Sequence, residues 1–377
     1  MIYLDNAATS FPKPGSVLEA MCDQLCTAAG NPGRSGHTMS VRAAQRVWQA
    51  RVAIARLIGA KEPRRIAFAL NGTDALNLAI KGWLRPGDHV VTTAMEHNSV
   101  LRPLAALEAG GIRHARVPCD ARGQVDPDDV VRALERSTRM VIVNHASNVV
   151  GTIQAVREIG TAVRARGLVL LVDAAQSVGR VDIDVERDCI DLLAFPGHKS
   201  LFGPTGTGAL WVGERVRLTA LRQGGTGTHS QSEQQPTEMP EALESGTLNT
   251  VGIAGLRAGV EFVLHTGVET IAARERELGS RLVSGLQAID GVTVHGAGAE
   301  SVACLSLTVR RWEPSDLAAA LDASSGIAVR AGLHCAPAAH RAIGTFPAGT
   351  VRLSPGWFNT REQIEQAIDA IGALARS

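Results

Sequence analysis

From about residue 65 the chain alternates short apolar runs with longer amphipathic stretches. Ile66–Leu70, His89–Thr93, Ile112–Pro118, Arg139–Asn144, Leu168–Val172, Leu192–Phe195 and Gly208–Val212 read as strands. Several are apolar at nearly every position and end in Gly, Pro, Asn or Asp. That pattern belongs to strands covered on both faces. Between them, Thr73–Trp83, Pro127–Arg136 and Val156–Arg166 carry helical periodicity. The alternation predicts an α/β fold: a mostly parallel sheet with helices on both sides.

The tempo changes after Leu221. Residues 222–246 are rich in Gly, Gln, Ser, Thr and Glu and predict an extended loop. A helical stretch then runs from Gly252 to Leu286, broken near Gly267. Val292–His295, Ala303–Val309, Ile327–Arg330 and Thr350–Leu353 read as strands, Pro314–Ala323 and Arg361–Arg376 as helices. This is an α+β pattern. The expected organisation is an N-terminal segment over 1–15, a large domain over 16–250, a connecting helix over 251–285 and a small C-terminal domain over 286–377.

Composition narrows the classes. The chain has 377 residues, 45% of them hydrophobic and 20% charged, with a formal net charge of +1. A nucleic-acid binder would show a basic excess, so none is expected. No apolar run approaches a membrane span, and MIYLDNAATSFPKP lacks the pattern of a signal peptide. A cytoplasmic location is expected. The cysteines at 22, 26, 119, 189, 304 and 335 are scattered, so reduced thiols are expected rather than a disulfide framework. Cys22 and Cys26 share a helix face but lack further ligands at zinc spacing, so no metal site is expected.

Four strand ends carry candidate chemistry, and open α/β sheets bind ligands outside the carboxyl ends of their strands. Phe195-Pro196-Gly197-His198-Lys199-Ser200 sets a lysine in a Gly-rich turn. Such a lysine either faces solvent or, with its pKa lowered by burial, forms a Schiff base with a carbonyl cofactor. Asp173-Ala174-Ala175-Gln176 follows another strand. A lone Asp there is a common helix cap. It is also well placed to keep a pyridine ring nitrogen protonated, with Gln176 donating to a ring hydroxyl. Asn71-Gly72-Thr73-Asp74 opens a helix whose N-terminus suits a phosphate. Met95-Glu96-His97-Asn98-Ser99 offers an imidazole, His97, to stack on a planar cofactor, or simply a packing or capping residue. Each signal alone is weak. Together they supply a phosphate cradle, a stacking ring, a ring-nitrogen carboxylate and a Schiff-base lysine.

This ordered set resembles fold-type-I pyridoxal 5'-phosphate (PLP) enzymes of the class V aminotransferase superfamily. Arg330-Ala331-Gly332-Leu333-His334-Cys335-Ala336-Pro337 is similar to the cysteine loop of cysteine desulfurases and selenocysteine lyases. The likeness runs from Tyr3-Leu4-Asp5-Asn6-Ala7-Ala8-Thr9 through Gly33-Arg34-Ser35-Gly36-His37 and Glu244-Ser245-Gly246-Thr247 to Gly349-Thr350-Val351-Arg352. The short span between Arg330 and Arg352 resembles the group-II subclass.

The resemblance implies a role for each residue. Lys199 would carry PLP and shuttle the proton at the substrate Cα. Asp173 would face the ring nitrogen, Gln176 the ring hydroxyl and His97 the ring face. Gly72, Thr73, Asp74 and His198 would hold the phosphate. Thr247 would reach the phosphate of a neighbouring subunit, which implies a homodimer with shared active sites. Asn148 and Arg352 would grip the substrate carboxylate, with Arg330, Ala7 and Arg34 also near substrate. Cys335 would take the sulfur of L-cysteine as a persulfide, leaving L-alanine, and pass it to an acceptor protein. Arg330 and His334 are the neighbours expected to favour its thiolate. Pro196 is a departure: the family often has a hydroxyl there, and Ser200 is the nearest replacement donor. A selenocysteine lyase, and a C–S lyase or aminotransferase that does not use Cys335, stay open as alternatives. So does the acceptor, in iron–sulfur assembly or elsewhere.

Overall fold

The computed structural model describes residues 1–33, 35–228, 231–296, 298 and 300–376. A short strand β1 (Ile2–Tyr3) leads through an extended segment to helices α1 (Gly15–Thr27) and α2 (Thr38–Leu57). The alternation then begins with β2 (Ile66–Ala69), α3 (Gly72–Trp83), β3 (His89–Thr93), α4 (Asn98–Glu108) and β4 (Arg113–Val117). It continues through α5 (Pro127–Arg132), β5 (Thr138–Asn144), α6 (Val156–Arg164), β6 (Val169–Asp173), β7 (Leu192–Pro196) and β8 (Gly208–Val212).

These strands form one seven-stranded sheet in the order β2-β8-β7-β6-β5-β3-β4. Only β8 runs against its neighbours. The continuous apolar runs follow from this architecture. Val141, Val143, Leu170 and Val172 belong to one apolar layer, Met140, Ile142 and Leu171 to the other, and all are fully buried. Helix α5 stops four residues before the predicted Arg136, because Thr138 Oγ1 accepts from Glu135 N–H and turns the chain into β5.

Between residues 222 and 246 the described residues form no strand or helix. Glu244 anchors the end of this loop in a bidentate, buried ion pair with Arg51, at 2.8 and 2.6 Å, and also accepts from Phe68 N–H. The fork geometry suits an arginine and a carboxylate.

Helices α7 (Thr250–Thr266) and α8 (Val268–Gln287) meet at 83°. The bend falls at Gly267, whose φ of +91° few side chains tolerate. Ile253 and Leu256 of α7 pack into the large core, while Leu278 and Leu282 of α8 pack into a second one. That second core sits under β9 (Val292–His295), β10 (Leu305–Val309), α9 (Pro314–Ser325), β11 (Ile327–Ala328), β12 (Arg330–Gly332), α10 (Pro337–Ala342), β13 (Thr350–Leu353) and α11 (Arg361–Arg376). The antiparallel order is β12-β13-β10-β9. The single strand predicted over Ile327–Arg330 is two. Residues Ile327 and Ala328 pair with β1, whereas Arg330 crosses to β13, directly opposite Arg352. No single helix among the described residues is long and apolar enough to cross a membrane.

Candidate active site

The carboxyl ends of β2, β3, β5, β6 and β7 lie along one edge of the sheet and wall a cleft with a cavity of about 90 Å³. Gly72, Thr73 and His97 line it together with Asp173, Gln176, His198 and Lys199. Of the predicted substrate-side residues, Asn148 lines it too.

The start of α3 is shaped as an anion cradle. Asn71 Oδ1 caps Asp74 N–H at 2.9 Å, and the first turn leaves the N–H groups of Gly72 and Thr73 without intrahelical acceptors. Glycine at position 72 lets the turn lie close to β7: a Cβ there would sit 3.2 Å from the Pro196 ring, tighter than most such contacts. Asp74 does not take part. Its carboxylate accepts from Leu70 N–H and pairs with Arg222, and it is absent from the cleft wall.

A hydroxyl relay joins this cradle to the imidazole. Thr73 Oγ1 lies 2.7 Å from Ser99 Oγ, which lies 2.9 Å from His97 Nδ1. Ser99 N–H also donates to Nδ1, at 3.0 Å, which fixes that nitrogen as an acceptor and leaves the proton on Nε2. Burial, with Lys199 and Arg330 nearby, lowers the His97 pKa to about 4, so the ring is neutral at physiological pH. His198 is lowered to about 4 by burial and by Lys199 and Lys13.

The floor is acidic. Asp173 is buried and accepts from Ala175 N–H at 2.9 Å. Burial pushes its pKa up; the Ala175 N–H, Lys199 and Asn144 act against that. Asn144 stands beside it in register across β5 and β6. Beneath them Glu96 is fully buried, accepting from Thr93 Oγ1 and Asn144 N–H at 2.8 and 2.9 Å. Burial raises Glu96 to about 8, so it is a neutral acid at pH 7. Of the two carboxyl groups, Asp173 is the one that lines the cleft, where it can meet a cation. Lys199 is pulled down to about 8 by burial, against the pull of Asp173 and with the push of Arg352 and Arg180.

The substrate-side residues divide. Arg352 is 1% exposed; its Nη1 donates to Asn148 O at 3.0 Å and its Nη2 pairs with Asp5 at 2.6 Å. Ala7 O accepts from Gln176 Nε2 at 2.8 Å. Cys335 lies outside the cleft wall, on an exposed loop at its rim. The loop is pinned from both sides: Cys335 O accepts from Asn98 N–H at 2.8 Å, and His334 O from Asn148 Nδ2 at 2.7 Å. Both His334 and Cys335 have left-handed backbone, at φ 49° and 59°, a conformation that clusters at functional sites. Arg330 Nη2 is 3.9 Å from Cys335 Sγ. Thr247 is exposed and does not line this cleft. Arg34 lies outside the described residues.

Two expectations need correction. His334 supplies no positive charge: burial, Arg352, His340 and Arg330 lower its pKa to about 2, and its Nε2 lies 3.1 Å from Thr350 Oγ1. Ser200 is buried and absent from the cleft wall, so it does not replace the hydroxyl missing at Pro196. Ser99 is the hydroxyl that lines the cleft beside Thr73. Ser99, Glu96 and Asn144 were not singled out from sequence. Each lies within or next to the strand-end segments that were.

The wall fits a polar group that donates as well as accepts hydrogen bonds, with the α3 cradle free for an anion. His198 Nδ1, Gln176 Oε1, Asn144 Oδ1 and Asn148 Oδ1 are all buried, and none has a partner among the described residues. Buried polar atoms without partners are rare in native proteins and mark places where a ligand or water belongs.

Comparison with known proteins agrees. The family model described as aminotransferase class-V matches residues 2–367. A probable cysteine desulfurase of Methanothermobacter thermautotrophicus is 35% identical over 99% of this chain and 94% of its own length. One from Pyrococcus abyssi is 35% identical over 100% and 95%. The apo structure of a cysteine desulfurase from Thermococcus onnurineus NA1 superposes with a TM-score of 0.93, at 33% identity, covering 100% of this chain and 94% of that one. The S-sulfonic acid form of an Escherichia coli cysteine desulfurase gives 0.89 at 28% identity, covering 99% and 94%. Fold, cleft and relatives converge: the chain belongs to the class-V aminotransferase family of PLP-dependent enzymes, among the cysteine desulfurases.

Proposed function

We propose that this desulfurase takes the sulfur of L-cysteine onto Cys335 and releases L-alanine, with PLP held at Lys199. One observation carries the reading. The exposed thiol of Cys335 stands on a loop tied to both sides of the cleft, with the Arg330 guanidinium against its sulfur.

PLP, when bound, supplies an electron sink for the substrate Cα. The chain's residues do the rest. Thr73, His198 and the α3 N-terminus hold the phosphate, and Asp173 faces the ring nitrogen. Arg352 and Asn148 receive the α-carboxylate. The Lys199 amine, lowered to about 8, takes and returns the Cα proton near neutral pH. Cys335 Sγ, as thiolate, then forms an S–S bond to the substrate sulfur while the Cβ–S bond breaks. The bonding pair stays with Cβ, which is protonated to give alanine, and the persulfide remains on Cys335.

A homodimer fits the surface. Leu18 and Leu25 of α1 and Met39, Val41, Trp48 and Val52 of α2 are large apolar side chains left exposed in the single chain, which a partner subunit would cover. Thr247, remote from its own cleft, would then serve the partner subunit's. An acceptor protein would collect the sulfur from Cys335 at the rim.

The test is incubation with L-cysteine or L-selenocysteine, measuring alanine and the persulfide on the Cys335 peptide. Stoichiometric alanine and persulfide are expected; alanine from selenocysteine alone would make the enzyme a selenocysteine lyase.

Ser99→Ala is expected to weaken PLP binding about tenfold, the worth of one hydrogen bond to a charged group. Adding Pro196→Ser should recover most of it. Titration of the apo-protein with PLP measures both. An unchanged Kd in Ser99→Ala would assign that hydroxyl to His97 alone.

A further inference from the structure

The N-terminal segment makes an unusual set of bonds to a single carbonyl. His198 O accepts from Ser10 N–H at 3.1 Å, Thr9 Oγ1 at 3.0 Å and Lys13 Nζ at 2.8 Å. Ser10 Oγ donates to the next carbonyl, Lys199 O, at 2.8 Å, and accepts from Lys13 Nζ at 2.8 Å. Ser10 Oγ also reaches His198 O, at 3.3 Å. A carbonyl oxygen has two lone pairs, so these four donors, one of them cationic, saturate it. The peptide so gripped is the one that joins His198 to Lys199.

Among the described residues Lys13 has no carboxylate partner; it donates to the carbonyl and the hydroxyl. It is half-buried, and burial lowers its pKa to about 8. Holding a cation there costs free energy that an ordinary loop contact does not need.

The far end of the segment is equally fixed. Asn6 Nδ2 donates to Ser354 O at 3.0 Å, Ala7 N–H to Ser354 Oγ at 2.9 Å, and Asp5 pairs with Arg352. Residues 5–13 therefore run from the small-domain sheet to the turn that carries Lys199, touching Gln176 on the way.

We propose that Lys13 is a positioning residue: with Thr9 and Ser10 it fixes the His198–Lys199 peptide and so sets where the Lys199 amine stands in the cleft. The inference rests on Lys199 being the PLP lysine. Small misplacements of a reacting group cost up to about 10²-fold in rate, so the effect belongs in kcat and in the rate at which the apo-protein captures PLP, not in KM.

The test compares Lys13→Met and Lys13→Arg in the full-length protein. Capture of PLP by each apo-protein is followed by absorbance, and the modified lysine is mapped after borohydride reduction. Lys13→Met is expected to slow capture and lower kcat by about tenfold, with KM within about twofold. Lys13→Arg, which keeps charge and donors, should recover to within about threefold. Wild-type rates in Lys13→Met would overturn the proposal, as would a loss that arginine does not recover. If the methionine variant does not fold, Lys13→Gln takes its place, and wild-type capture by that variant overturns the proposal equally. Mapping PLP to a lysine other than 199 in the wild type would instead refute the reading beneath it.

Discussion

Replacing Cys335 by alanine is expected to lower sulfide release from L-cysteine by at least about 10³-fold while leaving the yellow colour of the PLP-loaded protein intact. The two readouts separate because the two sites are separate. Lys199 and Asp173 line the cleft, whereas Cys335 stands at its rim on the β12–α10 connection. The substitution adds no backbone strain: at φ 59° a cysteine and an alanine carry the same Cβ penalty. Loss of activity would therefore report loss of the sulfur nucleophile. Cys335→Ser should behave alike, since a hydroxyl is a far weaker nucleophile than a thiolate at neutral pH. Sulfide, alanine and visible absorbance would be measured on one preparation. Full sulfide release by Cys335→Ala would make the enzyme a C–S lyase that expels sulfur without a protein thiol.

The large sheet was legible because burial on both faces leaves a continuous apolar run, and Met140–Val143 has no polar position at all. The cofactor residues were legible for a related reason: polar residues directly after such runs have little to do except meet a ligand. What escaped the sequence depends on pairings between segments that are distant in the chain. Glu96 matters because β3 lies beside β5, which brings it under Asn144, 48 positions on. The Lys13 contact with His198 spans 185 positions. No local pattern encodes either distance.

Charge states were the least legible. His334 stands beside the candidate thiol in sequence and is expected to favour its thiolate, yet burial, with Arg352 and Arg330 nearby, keeps the ring neutral. Asp74 shows the opposite failure. Its position at a helix N-terminus suits a phosphate site, but Arg222, from a loop 148 positions away, claims the carboxylate. In both cases a residue of fitting type and place is reassigned by a neighbour that the sequence does not put beside it.

Lys199→Ala is expected to abolish covalent attachment of PLP and to lower alanine formation by about 10³-fold or more, because both the anchor and the Cα base are lost. The wild-type apo-protein offers a sharper measurement. Its rate of PLP capture should rise with pH and level off above about 8, since only the neutral amine attacks a carbonyl. At pH 7 about a tenth of Lys199 is then neutral, against about one part in 2,500 for an unshifted lysine. Burial drives the shift, and Asp173 opposes it by stabilising the ammonium. Asp173→Asn should therefore move the midpoint further down, even as it weakens the hold on the loaded cofactor. A wild-type midpoint near 10 would mean that the amine stands in water rather than in the cleft, and Lys199 would lose its claim to act as a base at neutral pH.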